Sequence, residues 1–85
     1  MELKDKVAII TGGSGGIGKA MAAAFLREGA KAVVLADLDE QAAKDAAQST
    51  DPSGQRCIGV ACNVTNETEV DALTQNTIQT YGQVD

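Results

Sequence analysis

Three short, uniformly apolar runs alternate with longer segments in which apolar residues recur at helical spacing. The runs cover residues 7–10, 32–36 and 57–62. Each run is too short for a helix, and the first two are rich in β-branched or other aliphatic residues, as in strands buried on both faces. Three helices are predicted between and after the runs, each from four residues, mostly apolar, that would share one helix face. These are Ile17, Met21, Ala24 and Phe25; Ala42, Ala43, Ala46 and Ala47; and Val70, Leu73, Thr77 and Ile78.

Strands that alternate with helices of this length predict βαβ units with a parallel sheet. The pattern is typical of one mononucleotide-binding half of a doubly wound α/β fold, with sheet order 3-2-1 and a fourth strand beginning at Val84. Residues 1–85 are predicted to form a single partial domain, truncated at its C-terminus. In that order the first strand lies at an edge, so something is expected to pair with it.

Helix ends are also predicted from single residues. Asp39 is expected to cap the second helix, and Thr65 or Asn66 the third. Gly29 and Gly82 are expected to end the first and third helices in the left-handed conformation.

Charge and cysteine content exclude several kinds of partner. The formal net charge is −5 and no basic cluster occurs, which disfavours nucleic acid. The first residues are neither a signal peptide nor a membrane span, so a cytoplasmic location is expected. Cys57 and Cys62, if on one strand, point to opposite faces about 16 Å apart and form no disulfide there. With no His and no third thiol, no metal site is predicted.

A glycine-rich loop lies between the first strand and the first helix, at residues 12–18. In this position backbone N–H groups and the helix dipole converge on an anion, and glycines let a pyrophosphate approach the backbone. Asp37 follows at the end of the second strand, where a carboxylate accepts hydrogen bonds from ribose hydroxyls. The combination predicts a dinucleotide site.

Two other nucleotide folds fit less well. Residues 13–20 nearly match the phosphate-binding loop of nucleoside triphosphatases, but Ala20 stands where that loop needs a Ser or Thr hydroxyl on the metal ion. A methyltransferase would also place an acidic residue after the second strand, but its glycine loop usually follows a different pattern.

The chain resembles the classical short-chain dehydrogenase/reductase family over its whole length. The family's glycine motif T-G-x-x-x-G-x-G is matched from Thr11 to Gly18. The segment Cys62-Asn63-Val64-Thr65 is similar to the family's D-V-T adenine-binding segment, and residues 81–85 are similar to the lead into its fourth strand.

The resemblance implies a set of cofactor-binding residues. The glycine loop would line the adenosine ribose and pyrophosphate, Asp37 would hold the adenosine 2′- and 3′-hydroxyls, and three residues would border the adenine. The set comprises Gly12, Ser14, Gly16, Ile17, Gly18, Asp37, Leu38, Asn63 and Val64. Asn63 departs from the family, which usually has Asp there. Its amide oxygen would still accept from the adenine amino group, unless Asn63 simply initiates a turn.

The preferred cofactor is NAD. Family members that use NADP tend to carry Arg or Lys at the position of Gly15 or just after the second strand, whereas this chain has Asp37 and Leu38 there. A carboxylate at Asp37 repels a 2′-phosphate and accepts from a free hydroxyl.

Catalytic residues are not identified in the chain. By resemblance, hydride transfer between the nicotinamide and an alcohol or carbonyl substrate uses a Tyr, a Lys four residues later, a Ser and an Asn, all beyond Asp85. Tyr81 is followed four residues later by Asp85, whose carboxylate would raise the phenol's pKa, so Tyr81 is interpreted as a residue at a helix end.

Two hypotheses about function remain. In the first, the chain is the NAD-binding half of a longer oxidoreductase, a homo-oligomer by family analogy, and is inactive alone. In the second, it is a stand-alone, non-catalytic module that binds ADP or NAD.

Overall fold

The computed structural model describes residues 3–12 and 15–85 as a three-stranded sheet with helices on both faces. The elements are β1 (Val7–Thr11), α1 (Gly16–Arg27), β2 (Ala32–Asp37), α2 (Glu40–Thr50), β3 (Cys57–Ala61) and α3 (Glu67–Tyr81). All the strands run parallel, and β2 lies between β1 and β3. The predicted α/β architecture and the strand order are confirmed.

The helix ends lie where short-range sequence signals placed them. Asp39 accepts a hydrogen bond from the backbone N–H of Ala42 at 3.1 Å, and Asn66 caps α3 in the same way. Gly29 and Gly82 have φ values of 95° and 85°, in the left-handed region that a glycine enters without steric cost. The caps and stops are therefore confirmed.

The two faces of the sheet carry separate cores. Val33, Leu35 and Cys57 belong to the core on the side of α1 and α2. Val34 and Cys62 belong to the core beneath α3. Both cysteines are buried and free, as their placement on opposite faces predicted, although β3 ends at Ala61, one residue earlier than expected.

The buried side of α1 differs from the apolar spacing in its sequence. Gly18 and Ala22 are the buried residues of the helix. Ile17 and Met21, at 80% and 41% exposure, lie outside the core. Small residues on the buried side allow the helix axis to approach the sheet closely, so the larger side chains are displaced to other sides of the helix. The predicted apolar stripe is therefore correct at Phe25, which packs against the core, but wrong at Ile17 and Met21.

The free edge of β1 receives the last residue of the chain. The backbone N–H of Asp85 donates to the carbonyl oxygen of Val7 at 2.8 Å. The N–H of Val7 donates in turn to Oδ2 of Asp85 at 3.0 Å. The β1 edge is thus paired at its first residue by Asp85, which belongs to the segment where a fourth strand was predicted to begin.

Candidate functional site

A cleft of about 220 Å³ opens at the carboxyl edge of the sheet. Because the strands are parallel, their carboxyl ends meet at one edge, and the segments that follow them are brought together there. Predicted site residues from three separate segments line this cleft: Gly12, Asp37, Leu38, Asn63 and Val64. The predicted adenosine-binding residues therefore share one surface, to which Thr65 also contributes.

The start of α1 carries the other predicted phosphate-binding residues. Gly16, Ile17 and Gly18 form its first turn, whose N–H groups have no acceptor within the helix. In contrast to α2 and α3, α1 has a glycine, Gly15, at its cap position, so its cap residue has no side chain that could accept from the first turn. The first turn also has no acidic residue that would oppose an anion.

Gly12 joins β1 to this loop with a φ of +67°, a conformation that favours glycine. The N–H of Gly15 donates to the carbonyl oxygen of Gly12 at 3.3 Å, which makes the turn tight. Ser14, which was predicted to bind the cofactor, lies outside the described residues.

Asp37 ends β2 with a half-buried side chain on the cleft. Its Oδ1 lies 3.3 Å from the backbone N–H of Asp39, near the upper limit for a hydrogen bond, and its carbonyl oxygen accepts from the N–H of Cys62 at 2.8 Å. The second contact fixes the end of β2 against the segment that follows β3.

Leu38 and Val64 flank the cleft as exposed apolar side chains. They are 73% and 55% exposed. With Ile17, they place exposed apolar surface around the site predicted to bind a nucleotide.

Asn63 forms a turn with Thr65. Its Oδ1 accepts from the backbone N–H of Thr65 at 3.0 Å and from the Thr65 hydroxyl at 2.6 Å. The alternative that Asn63 initiates a turn therefore describes its conformation in this structure.

Glu69 also positions Asn63, and Glu69 was not among the site residues predicted from the sequence. Its carboxylate accepts from the Asn63 N–H at 3.1 Å, while its own N–H donates to the Asn66 side chain. The signal was available, because an Asn followed three residues later by Glu is the pattern of a capping box. Here the carboxylate reaches farther back, to residue 63.

Groups with shifted pKa lie at the opposite edge of the sheet. Burial raises the pKa of the Cys57 thiol to about 11, and Cys57 is the first residue of β3. Hydrogen bonds from Ser53 and Arg56 lower the pKa of Asp51, which precedes that strand. The hydrogen bond from the Val7 N–H is the main cause of the lowered pKa of Asp85.

Tyr81 is the last residue of α3, as interpreted from the sequence. The pKa of its phenol is raised, but the expected cause was wrong: burial is the largest contribution, followed by Cys57 and Asp51. Its hydroxyl lies 3.4 Å from the carbonyl oxygen of Gln55, near the amino end of β3 and away from the cleft.

Two further properties concern the described part of the chain alone. Within residues 3–12 and 15–85, no three His, Cys, Asp or Glu side chains are grouped closely enough to hold a metal ion. Over the same residues, no helix is long and apolar enough to cross a membrane.

The family model and the relatives that match this chain point to one family. The family model described as short chain dehydrogenase matches residues 6–85. The (−)-isopiperitenol/(−)-carveol dehydrogenase of Mentha piperita is 43% identical over 84 residues, which cover 99% of this chain and 31% of that protein. The (+)-cis,cis-nepetalactol synthase of Nepeta racemosa is 42% identical over 84 residues, covering 99% of this chain and 30% of that protein.

A solved structure has the same fold. It is a short chain dehydrogenase/reductase from Burkholderia phymatum in complex with NAD, 36% identical, with a TM-score of 0.88 over 99% of this chain and 30% of that chain. The chain thus spans about a third of the length of the proteins it matches.

Proposed function

The chain belongs to the short-chain dehydrogenase family, and on that premise we propose that it is the NAD-binding half of a longer oxidoreductase. The proposed reaction transfers a hydride between the nicotinamide of the cofactor and an alcohol or carbonyl group of a small molecule. One observation carries the proposal: the segments after all three strands form a single cleft beside a helix whose cap residue is a glycine. The related structure in complex with NAD supports the same cofactor here.

The pyrophosphate of the cofactor is assigned to the start of α1. Backbone N–H groups of Gly16, Ile17 and Gly18 provide donors, and the helix dipole favours negative charge at this end. These groups bind an anion without a cationic side chain, which suits a protein of net charge −5.

The adenosine is assigned to the cleft. Asp37 is placed to accept from the ribose hydroxyls, and the exposed side chains of Leu38 and Val64 offer apolar surface to the two faces of the base. Burying these side chains under a purine would recover about 25 cal/mol for each Å² of apolar surface removed from water. When bound, the cofactor supplies the hydride acceptor or donor, and the chain's own residues hold its adenosine half.

A preference for NAD over NADP follows from charge. The Asp37 carboxylate at the end of β2 repels a 2′-phosphate, and Gly15 and Leu38 provide no cation to offset that repulsion. The proposal concerns the adenosine ribose alone, because that is where the two cofactors differ.

The substrate-binding and catalytic residues are assigned to the remainder of the longer protein. The matched proteins support this division, because their lengths are about three times that of this chain. A homo-oligomeric state is proposed by family analogy. A cytoplasmic location is proposed, and the two buried free thiols are compatible with any reducing compartment, the cytoplasm among them.

The test is a calorimetric titration of the 85-residue chain, after circular dichroism has established that it is folded. NAD, NADP and Mg-ATP are titrated separately. We expect NAD to bind most tightly. Ala20 provides no hydroxyl ligand for the magnesium ion of Mg-ATP, and the Asp37 carboxylate repels the 2′-phosphate of NADP. A folded chain that prefers Mg-ATP would contradict the proposal, whereas a folded chain that binds none of the three would mean that the remainder of the longer protein is needed to hold the cofactor.

A further inference from the structure

A second cavity, of about 150 Å³, lies between α3 and the sheet. On the sheet side it is lined by Val34 of β2 and by Ile58 and Val60 of β3. On the helix side its lining residues are spaced by three and four, so they share one face of α3: Glu69, Ala72, Leu73, Asn76 and Thr77. None of the residues that line this cavity lines the cleft at the carboxyl edge, so the two sites are separate.

The inner wall of the cavity is apolar. Val34 is fully buried and Leu73 is nearly so. Thr77 is buried as well, and its hydroxyl already donates to the carbonyl oxygen of Leu73 at 2.8 Å. Walls of this kind offer few partners to a water molecule, and an apolar protein cavity of about this volume accommodates one benzene ring. The inner part of the cavity therefore fits a single apolar ring.

The mouth of the cavity is polar and negatively charged. Glu69 and Asn76 are exposed lining residues two turns apart on α3. One oxygen of the Glu69 carboxylate accepts from the N–H of Asn63 at 3.1 Å, which holds the group in place, and a carboxylate can accept further hydrogen bonds. Among the residues that the structure describes, no Lys or Arg lines the cavity, and residues 67–81 of α3 contain neither. The charge at the mouth therefore suits a cation.

We propose that this cavity is a binding site for a small organic cation, a single apolar ring that carries a protonated amine. The ring occupies the space between Val34, Val60 and Leu73, where its burial provides most of the affinity. The ammonium group binds the Glu69 carboxylate at the mouth, where solvent weakens the ion pair but leaves it a selective contribution. The proposal goes beyond the proposed function and is independent of it, because the cavity shares no lining residue with the cofactor cleft.

The test compares three ligands that have the same ring and differ in charge. Benzylamine, benzyl alcohol and benzoate are titrated separately into the isotope-labelled 85-residue chain, after circular dichroism has established that it is folded. Changes in amide NMR shifts locate each ligand, at Val60 and Leu73 for the cavity and at Leu38 for the cleft. We expect benzylamine to bind the cavity with a Kd of about 1 mM, benzyl alcohol about fivefold more weakly, and benzoate not measurably.

The role of the carboxylate is tested by Glu69→Gln, which removes the charge but keeps an oxygen that can accept from the Asn63 N–H. We expect its affinity for benzylamine to fall about fivefold and its affinity for benzyl alcohol to remain the same. Glu67→Gln is the matched control, because it removes the same charge from the same end of α3 at an exposed residue that does not line the cavity. Its affinity for benzylamine should stay within about twofold of the wild type.

The position of the ring is tested by Val60→Phe, which fills the cavity from its strand side. We expect this variant, folded by circular dichroism, to bind benzylamine and benzyl alcohol at least about tenfold more weakly than the wild type. If Val60→Phe does not fold, the comparison of Glu69→Gln with Glu67→Gln still decides the proposal.

Several results would overturn the assignment of the cavity. These are the absence of benzylamine binding, shift changes at Leu38 in place of Val60 and Leu73, or benzyl alcohol or benzoate binding as tightly as benzylamine. An equal loss of benzylamine affinity in Glu67→Gln would overturn it too, because the general charge of the protein and not Glu69 would then attract the ligand. None of these results bears on NAD binding, so failure of this proposal leaves the proposed function in place.

Discussion

A Cβ atom at Gly59 would lie 2.2 Å from the carbonyl oxygen of Ala43, closer than any real Cβ contact. Gly59 is the central residue of β3, and Ala43 is a fully buried residue of α2. The absence of a side chain on the strand and the small side chain on the helix together set the separation between the two elements. This contact fixes β3, whose carboxyl end leads directly into residues 62–65 of the cleft.

The first prediction is that Gly59→Ala destabilises the fold by about 3 kcal/mol. The added methyl group meets the backbone of α2, which must move away from the sheet and lose buried contacts along its length. The free energy of unfolding is measured by urea denaturation monitored by circular dichroism.

Gly16→Ala is the control, because none of the residues that the structure describes lies within 4 Å of a Cβ at that position and Ala is a better helix former than Gly. We expect its free energy of unfolding to match or exceed that of the wild type. Equal stability of the two variants would contradict the close contact between β3 and α2.

The second prediction concerns Arg56, whose guanidinium ties together parts of the fold far apart in sequence. Its Nη2 donates to the carbonyl oxygen of Leu26 at 3.0 Å and to that of Ala30 at 2.6 Å. The first acceptor is near the end of α1, where the carbonyl oxygen of Leu26 also accepts from the Gly29 N–H and the helix dipole attracts a cation. We expect Arg56→Ala to lower the free energy of unfolding by about 1 to 2 kcal/mol.

Arg56→Lys distinguishes hydrogen bonding from charge. A lysine keeps the positive charge, but its side chain is one bond shorter than the path to Nη2, so its ammonium does not reach both carbonyls from the same position and we expect it to recover less than half of the loss in Arg56→Ala. Full recovery of stability, measured in the same urea titration, would show that charge alone accounts for the effect.

Much of the fold could be predicted from the sequence because its signals are local. The caps at Asp39 and Asn66 and the stops at Gly29 and Gly82 depend on residues within one turn of each helix. The strands were recognised because parallel strands are buried on both faces and so read as continuous apolar runs. The position of the cleft then followed from the parallel order, since carboxyl ends meet at one edge.

The features that escaped prediction depend on contacts between distant segments. Nothing within β3 itself indicates that Gly59 meets Ala43, and the two acceptors of Arg56 lie about thirty residues away in the sequence. The exposure of Ile17 was not predicted either, because its helical spacing fits a residue on the buried side of α1 as well as one on the exposed side. At the site, the residue types suggested that the Asn63 oxygen accepts from the cofactor, whereas in the structure that oxygen accepts from the backbone N–H and the hydroxyl of Thr65.

The third prediction is a pH effect at Asp51. Its carboxylate accepts from the Ser53 hydroxyl at 2.7 Å and from the Arg56 N–H at 2.8 Å, and these hydrogen bonds lower the pKa of Asp51, with Ser53 as the largest cause. Because the folded pKa is below its ordinary value, the stabilisation by Asp51 is fully present above that ordinary value. It is lost as the pH falls through the lowered folded pKa.

Removal of the hydroxyl in Ser53→Ala is expected to raise the pKa of Asp51 toward its ordinary value, so acid unfolding begins at higher pH. The pKa is followed by NMR titration of the Asp51 carboxyl group. Ser49→Ala, which removes an exposed hydroxyl of α2, serves as the control and is expected to leave the pKa unchanged. The hydroxyl would have no role if both variants titrated alike.

The last prediction is that Asp37→Ser combined with Leu38→Arg moves the cofactor preference toward NADP. The double change removes the carboxylate that repels a 2′-phosphate. It also adds a guanidinium that can donate two parallel hydrogen bonds to that phosphate. We expect the ratio of NADP affinity to NAD affinity to rise at least about tenfold, with the gain shrinking as salt screens the new charge pair. Calorimetric titrations at low and high ionic strength measure the affinity ratio and its salt dependence.

Asp37→Asn alone is the matched control, because it removes the repulsion but retains the size of the side chain and supplies no cation. It should therefore show a smaller change in the ratio with little salt dependence. If the double variant kept the wild-type preference, Asp37 and Leu38 would not border the adenosine ribose, and the assignment of the cleft to that half of the cofactor would be wrong.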